Sequence, residues 1–147
     1  MKLHFEIDIA APPEKVFHWL ENPERAMQWM NSVAGGEILH KTEGWVGTTF
    51  RETVADESGS TEMRGVITEY HANHSMGFHL EGKFNHADVR YLLEPIEGGT
   101  RLVQQGEVRF KSLTRVLMLF LGPVFKAKIA KQSMAEFHKL KQLCEQP

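Results

Sequence analysis

Residues 85–110 read NHADVRYLLEPIEGGTRLVQQGEVRF. Ala87, Val89, Tyr91 and Leu93 alternate with His86, Asp88 and Arg90, the period-two pattern of a strand with one buried face. Glu97-Gly98-Gly99-Thr100 then turns the chain. In the returning strand Leu102, Val108 and Phe110 share the parity of Gln104 and Gly106, against Arg101, Gln105, Glu107 and Arg109. The pair predicts an antiparallel hairpin that is apolar on one face and wet on the other.

Upstream, similar punctuation recurs at Gly35, Glu43-Gly44, Asp56-Glu57-Ser58-Gly59-Ser60, Asn73 and Glu81-Gly82. It predicts strands over 36–41, 47–55, 61–70, 75–82, 85–94 and 100–110, antiparallel because the connections are too short for crossover helices. A first strand is read from Leu3, Phe5, Ile7 and Ile9 alternating with Lys2, His4, Glu6 and Asp8. Pro13 then opens a short helix with Val16, Phe17, Trp19 and Leu20 on its apolar side. Asn22-Pro23 opens a second, expected to carry Met27, Trp29 and Met30. Downstream, Leu113, Val116, Leu117, Phe120, Val124, Phe125, Ile129, Phe137, Leu140 and Leu143 follow a helical period. Ser112 is the expected N-cap, and Gly122-Pro123 is expected to break the helix into segments near 112–121 and 124–145. The fold class is therefore α+β: a seven-stranded antiparallel sheet, two short helices after strand one and a long C-terminal helix.

The chain has 147 residues with 17 Lys and Arg, 19 Asp and Glu and a formal charge of −2, which suits a single domain over 1–147. Near-neutral charge argues against a nucleic-acid binder, which needs a basic excess. The lone Cys144 cannot form an internal disulfide, and charges interrupt every apolar run near the N-terminus, so a cytoplasmic protein is expected. Val116–Phe125 has ten uncharged residues, against the roughly 20 that cross a bilayer as a helix. That run is apolar all round and needs cover. Packing by the early helices, with Trp29 and Met30, is the expectation. A movable gate at the glycine-proline break is the functional alternative, and a homodimer or membrane contact the third.

The order of elements, together with IDIAAPPEKVFHWLENPERAMQWMNSV at 7–33, VRYLLEPIEGGTRLVQQGEV at 89–108 and LMLFLGPVFKAKIAKQSMAEFHKLKQL at 117–143, resembles the START-domain-like (SRPBCC, helix-grip) superfamily, in its polyketide cyclase/dehydrase-like branch. The resemblance covers essentially the whole chain. It implies a curved sheet wrapped around the long helix, with a mostly apolar cavity between them for a hydrophobic small molecule such as a lipid, quinone or polyketide. Glu43-Gly44-Trp45-Val46-Gly47 departs from the glycine-rich loop of the plant hormone-binding members.

Polar residues on buried parity mark where such a cavity would hold its guest, because a buried polar group needs a partner. Glu52 shares its parity with Phe50 and Val54, Gln104 lies between Leu102 and Val108, and Tyr91 brings a phenol to an apolar face. Water at a strand end for Glu52, or a side-chain partner for Gln104, would serve equally. Strand 61–70 reads with Met63, Gly65 and Ile67 inward, or with Val66 and Tyr70 inward; only the second brings Arg64 into the cavity. The expected lining is Phe50, Glu52, Phe78, Val89, Tyr91, Gln104, Phe120 and Val124.

His71, His74 and His79 have a spacing reminiscent of a metal set. However, the first two fall in a predicted turn and His79 points outward, so no metal and no cofactor is expected. Three functions follow. The first is binding or transport of a hydrophobic small molecule. The second is a cyclase or dehydrase in which Glu52 or Tyr91 moves a proton. The third is a partner-binding module using His79, Glu81, Asp88, Arg90 and Arg101 on the outer face.

Overall fold

The computed structural model describes residues 1–56 and 59–147. In chain order the elements are β1 (Lys2–Ile9), α1 (Pro13–Leu20), α2 (Pro23–Ala26), β2 (Val33–His40), β3 (Thr49–Asp56), β4 (Gly59–His71), β5 (Ser75–Glu81), β6 (Asn85–Ile96), β7 (Gly99–Phe110) and α3 (Ser112–Glu145). The turn expected at 56–60 lies partly outside the described residues. The seven strands form one antiparallel sheet in the order β1-β7-β6-β5-β4-β3-β2. β2 to β7 follow as a meander, and β1 returns to pair with β7, setting Phe5 opposite Gln104 and Ile7 opposite Leu102. This is the α+β helix-grip architecture.

Strand parity places the interior. Val89 faces Gly106 and Tyr91 faces Gln104 across β6 and β7, Phe78 faces Val89, and Phe50 faces Gly65. β4 resolves its two readings by using both. Ile67 pairs with Phe78, but Glu69 pairs with Gly77, so one extra residue is inserted at Thr68. Such a bulge shifts the phase by one. Met63, Gly65 and Ile67 therefore lie on the inner parity before it and Tyr70 after it, while Arg64 stays outside, paired with Glu62 at 3.2 Å. Gly65 is required: a Cβ there would lie 2.2 Å from the Phe50 ring.

Three helical expectations need correction. α2 ends at Ala26, so Met27, Trp29 and Met30 follow it in turns; the Met30 N–H still reaches the Ala26 carbonyl at 2.7 Å, and Trp29 Nε1 donates to the Trp19 carbonyl at 3.2 Å. Ser112 is not a cap. It is the first helical residue, with φ 49°, behind Lys111, and no side chain caps this end. Finally, α3 runs unbroken for 34 residues through Gly122 and Pro123. Proline frees the carbonyl one turn back. Here that residue is Leu119, exposed to solvent, so water can satisfy the freed oxygen and the helix continues.

The core lies between the inner sheet face, α1 and the C-terminal half of α3. Ile9, Val16, Phe17, Trp29, Phe50, Ile67, Met76, Tyr91, Leu102, Phe137, Leu140 and Cys144 form it. Burial of α3 begins late, at Glu136, Phe137, Leu140 and Cys144. Its first half is covered on one side only, where Phe125 packs edge-on against Phe110 with ring centroids 5.7 Å apart. The expectation that the early helices cover Val116–Phe125 is not met, because Trp29 packs on Phe137 instead, with ring centroids 6.4 Å apart. Leu113 is 84% exposed, Phe120 79% and Val124 71%.

Candidate functional site: a chamber between the sheet and the early helices

Four inner-face strands and the α1–α2 region converge on a chamber of about 100 Å³. Its sheet wall holds Phe50 and Glu52 from β3, Met76, Phe78 and Leu80 from β5, Val89 and Tyr91 from β6, and Gln104 from β7. Leu20, Pro23, Ala26, Trp29 and Met30 close the other side. Phe50, Phe78 and Tyr91 form a run of aromatic contacts, with centroids 5.9 Å and then 5.8 Å apart. Edge-on and tilted ring contacts of this kind hold aromatic groups in fixed relation.

Glu52 is the anomaly in this wall. It is only 9% exposed, and burial pushes its carboxyl up to about 7, with a further push from the charge of Glu136. Near neutral pH it is therefore shared between a neutral acid, which donates a hydrogen bond, and a carboxylate, which accepts one. Tyr91, 3% exposed, is held far above the usual phenol range by burial and by the charges of Glu52 and Glu136. It stays a neutral hydroxyl that can donate or accept.

Glu136, from α3, does not line the chamber and is 5% exposed, but its charge reaches Glu52. Burial raises its pKa, against an opposing pull from Gln132 and from Asn31 and Ser32. Gln132 Nε2 donates to its Oε1 at 3.2 Å, while Oε2 has no hydrogen-bond partner among the described residues. Two buried carboxyls, one from the sheet and one from the helix, thus stand close enough for the charge of one to act on the other.

Six of the eight expected lining residues, Phe50, Glu52, Phe78, Val89, Tyr91 and Gln104, come together here. Phe120 and Val124 do not, for they project from the outer side of α3 into solvent. Glu136 is absent from the expected set, although a signal exists: it sits four residues before Leu140 and seven before Leu143, on the apolar stripe of its helix. A second concavity of about 690 Å³ is lined by residues of both sheet faces, among them Phe5, Phe78 and Val89 but also His4, Glu69 and Asp88, with Lys126 and Ala130 of α3. It is an open depression beside the chamber and not an enclosed site.

On the outer face, His79 Nδ1 meets Asp88 at 2.7 Å and Nε2 meets Glu81 at 2.9 Å. These carboxylates raise its pKa. Lys111 Nζ holds the other Glu81 oxygen at 2.8 Å. His79, Glu81 and His86 come within 4.8 Å of one another; His71 and His74, at the β4–β5 turn, do not join them. Arg90 and Arg101 are engaged by Glu69 and Asp8. The outer residues thus pair largely among themselves, as a solvated strand face does.

The family described as polyketide cyclase / dehydrase and lipid transport matches residues 1–145. Solved structures share the fold. TTHA0849 from Thermus thermophilus superposes with a TM-score of 0.83 at 16% identity, over 98% of this chain and 97% of that one. A START superfamily protein from Mycobacterium smegmatis gives 0.81 at 18% identity, over 98% and 97%. The Zhui aromatase/cyclase of a Streptomyces species gives 0.81 at 14% identity, over 99% and 93%. No curated protein matches in sequence.

Proposed function

Because the chain belongs to the polyketide cyclase/dehydrase and lipid-transport family, we propose that it binds and carries a hydrophobic small molecule in this chamber, which the α1–α2 region closes and to which the C-terminal helix, expected as its second wall, contributes no lining residue. The guest has at least one carbonyl or hydroxyl group, which meets Glu52, Tyr91 or Gln104. The observation that carries this reading is the buried carboxyl of Glu52 in an otherwise apolar wall. An ionisable group in such a place costs stability unless a partner satisfies it, and a few polar groups in an apolar pocket are the usual means of orienting a ligand.

The chamber is smaller than the ~300–1,000 Å³ of a drug-sized site. Entry of a lipid, quinone or polyketide therefore requires the walls to part. Met30 and Met76 are suited to this, since the unbranched thioether side chain repacks at low cost. The test is native mass spectrometry of gently purified protein, followed by thermal-shift screening against fatty acids, quinones and aromatic polyketides. A retained or added hydrophobic ligand whose stabilisation weakens in Glu52→Gln supports the reading. Empty protein with no shift across the panel overturns it.

Glu52 titrating near 7 also favours a second reading, a cyclase or dehydrase in which it moves a proton. A general acid-base works best when its pKa is close to the working pH, and the chamber would fold a poly-ketone chain into a reactive conformer. Turnover of a poly-ketone that is lost in Glu52→Gln while binding persists would separate catalysis from carriage.

A further inference from the structure

The first half of α3 rests on the sheet by one side only, where Phe125 meets Phe110 of β7 with ring centroids 5.7 Å apart, and turns the opposite side to solvent. Leu113, Val116, Leu117, Leu119, Phe120, Leu121 and Val124 are all exposed large apolar side chains. At about 100° per residue, all but Leu119 fall within an arc of about 140° on one face. Single exposed leucines are ordinary, but a continuous apolar face marks a contact surface.

Charge identifies what that surface meets. Between Glu107 and Glu136 there is no acidic residue, while Arg109, Lys111, Arg115, Lys126, Lys128 and Lys131 are all basic. The segment holds six of the chain's 17 basic residues and none of its 19 acidic ones. Arg115, Lys126, Lys128 and Lys131 are exposed. Leu113, Leu117, Phe120, Val124, Lys128 and Lys131 follow one another at helical spacings of three or four, so a single ridge is apolar first and basic after. At about 1.5 Å per residue, Lys128 stands about 6 Å beyond Val124 along the axis.

We propose that this half of α3 docks on an anionic lipid surface, the apolar end of the ridge entering the acyl boundary and the lysines lying among the headgroups. An apolar face bordered by lysine and arginine is the composition of an interfacial helix. It does not span: no helix among the described residues is long and apolar enough to cross a membrane. A second copy of the chain fits less well, because this segment offers no acidic residue to set against the basic residues of its copy. The inference rests on the exposed face alone and holds whether or not the chamber takes a ligand.

The test is flotation of the full chain with vesicles of phosphatidylcholine alone and of phosphatidylcholine with phosphatidylglycerol, with light scattering of the free protein. The protein is expected to float with the anionic vesicles, to be released by added salt, and to bind about fivefold more weakly for each of Lys128 and Lys131 changed to Gln. Leu117→Glu with Phe120→Glu removes binding while far-ultraviolet circular dichroism stays unchanged and the thermal midpoint stays close to that of the parent, since neither side chain is buried. Equal binding to neutral vesicles, binding that survives the double glutamate variant, or no binding to either overturns the proposal. A dimer that the glutamates dissolve, without vesicle binding, would assign the face to a second copy instead. Ligand screening of the chamber is independent of all these outcomes.

Discussion

Glu52 on β3 and Glu136 on α3 approach one interior from opposite layers, and the charge of Glu136 makes ionisation of Glu52 harder. The sheet contributes one carboxyl and the helix the other. This has consequences for stability that can be measured without knowing any ligand.

With its folded pKa near 7 and an ordinary value of 4.5 when unfolded, Glu52 binds more protons in the native state between those limits. Stability therefore falls as pH rises from about 4.5 through about 7 and levels off above, by on the order of 3 kcal/mol from this group. Glu52→Gln is expected to flatten that decline and to be the more stable protein at pH 8. Urea unfolding across pH 5–8 reads the difference; parallel curves for the two proteins would mean that Glu52 is hydrated in solution.

His79 behaves differently. Its pKa is raised by hydrogen bonds to Glu81 and Asp88, so its stabilising contribution is present below pH 6.5 and disappears as pH rises through the elevated value. Nuclear magnetic resonance titration should find this histidine to be the last of those on the outer face to lose its proton. Asp88→Asn brings it back towards 6.5.

Gly65→Ala is expected to destabilise by about 1–3 kcal/mol, since its new methyl group would occupy the place of the Phe50 ring. Phe50→Leu with Gly65→Ala should recover part of the loss, because the smaller side chain can retreat. Chemical denaturation of the two single variants and the double variant closes the cycle.

Pro123→Ala restores a donor to the middle of a helix that already runs straight through it. The gain is local and at most about 3 kcal/mol, the interior cost of proline relative to alanine. Hydrogen exchange should slow over 116–124 while the amides around Leu140 are unchanged. Equal slowing at both ends of α3 would show that the two halves unfold as one unit.

How much of this could be read from the chain depends on the kind of signal. Alternation locates the strands and even the inward direction of Glu52, Tyr91 and Gln104, because a half-buried strand writes its orientation in every second residue. β4 defeats that rule at Thr68, where two correct parities belong to two parts of one strand. Glu136 escapes for another reason. A glutamate among Lys139, Lys141 and His138 reads as solvent-facing, and only its place on the Leu140–Leu143 stripe says otherwise. For Phe120 and Val124 the periodicity is that of a buried helix, and periodicity carries no information about what covers it.

The extra residue at Thr68 makes β4 two reading frames spliced end to end. A one-residue insertion or loss anywhere else in that strand would exchange inside for outside over everything beyond it. At the splice the count is already loose by one, so length variation there should leave Ile67 and Tyr70 on the same side of the fabric, which makes this the natural seam along which the strand can be lengthened or trimmed.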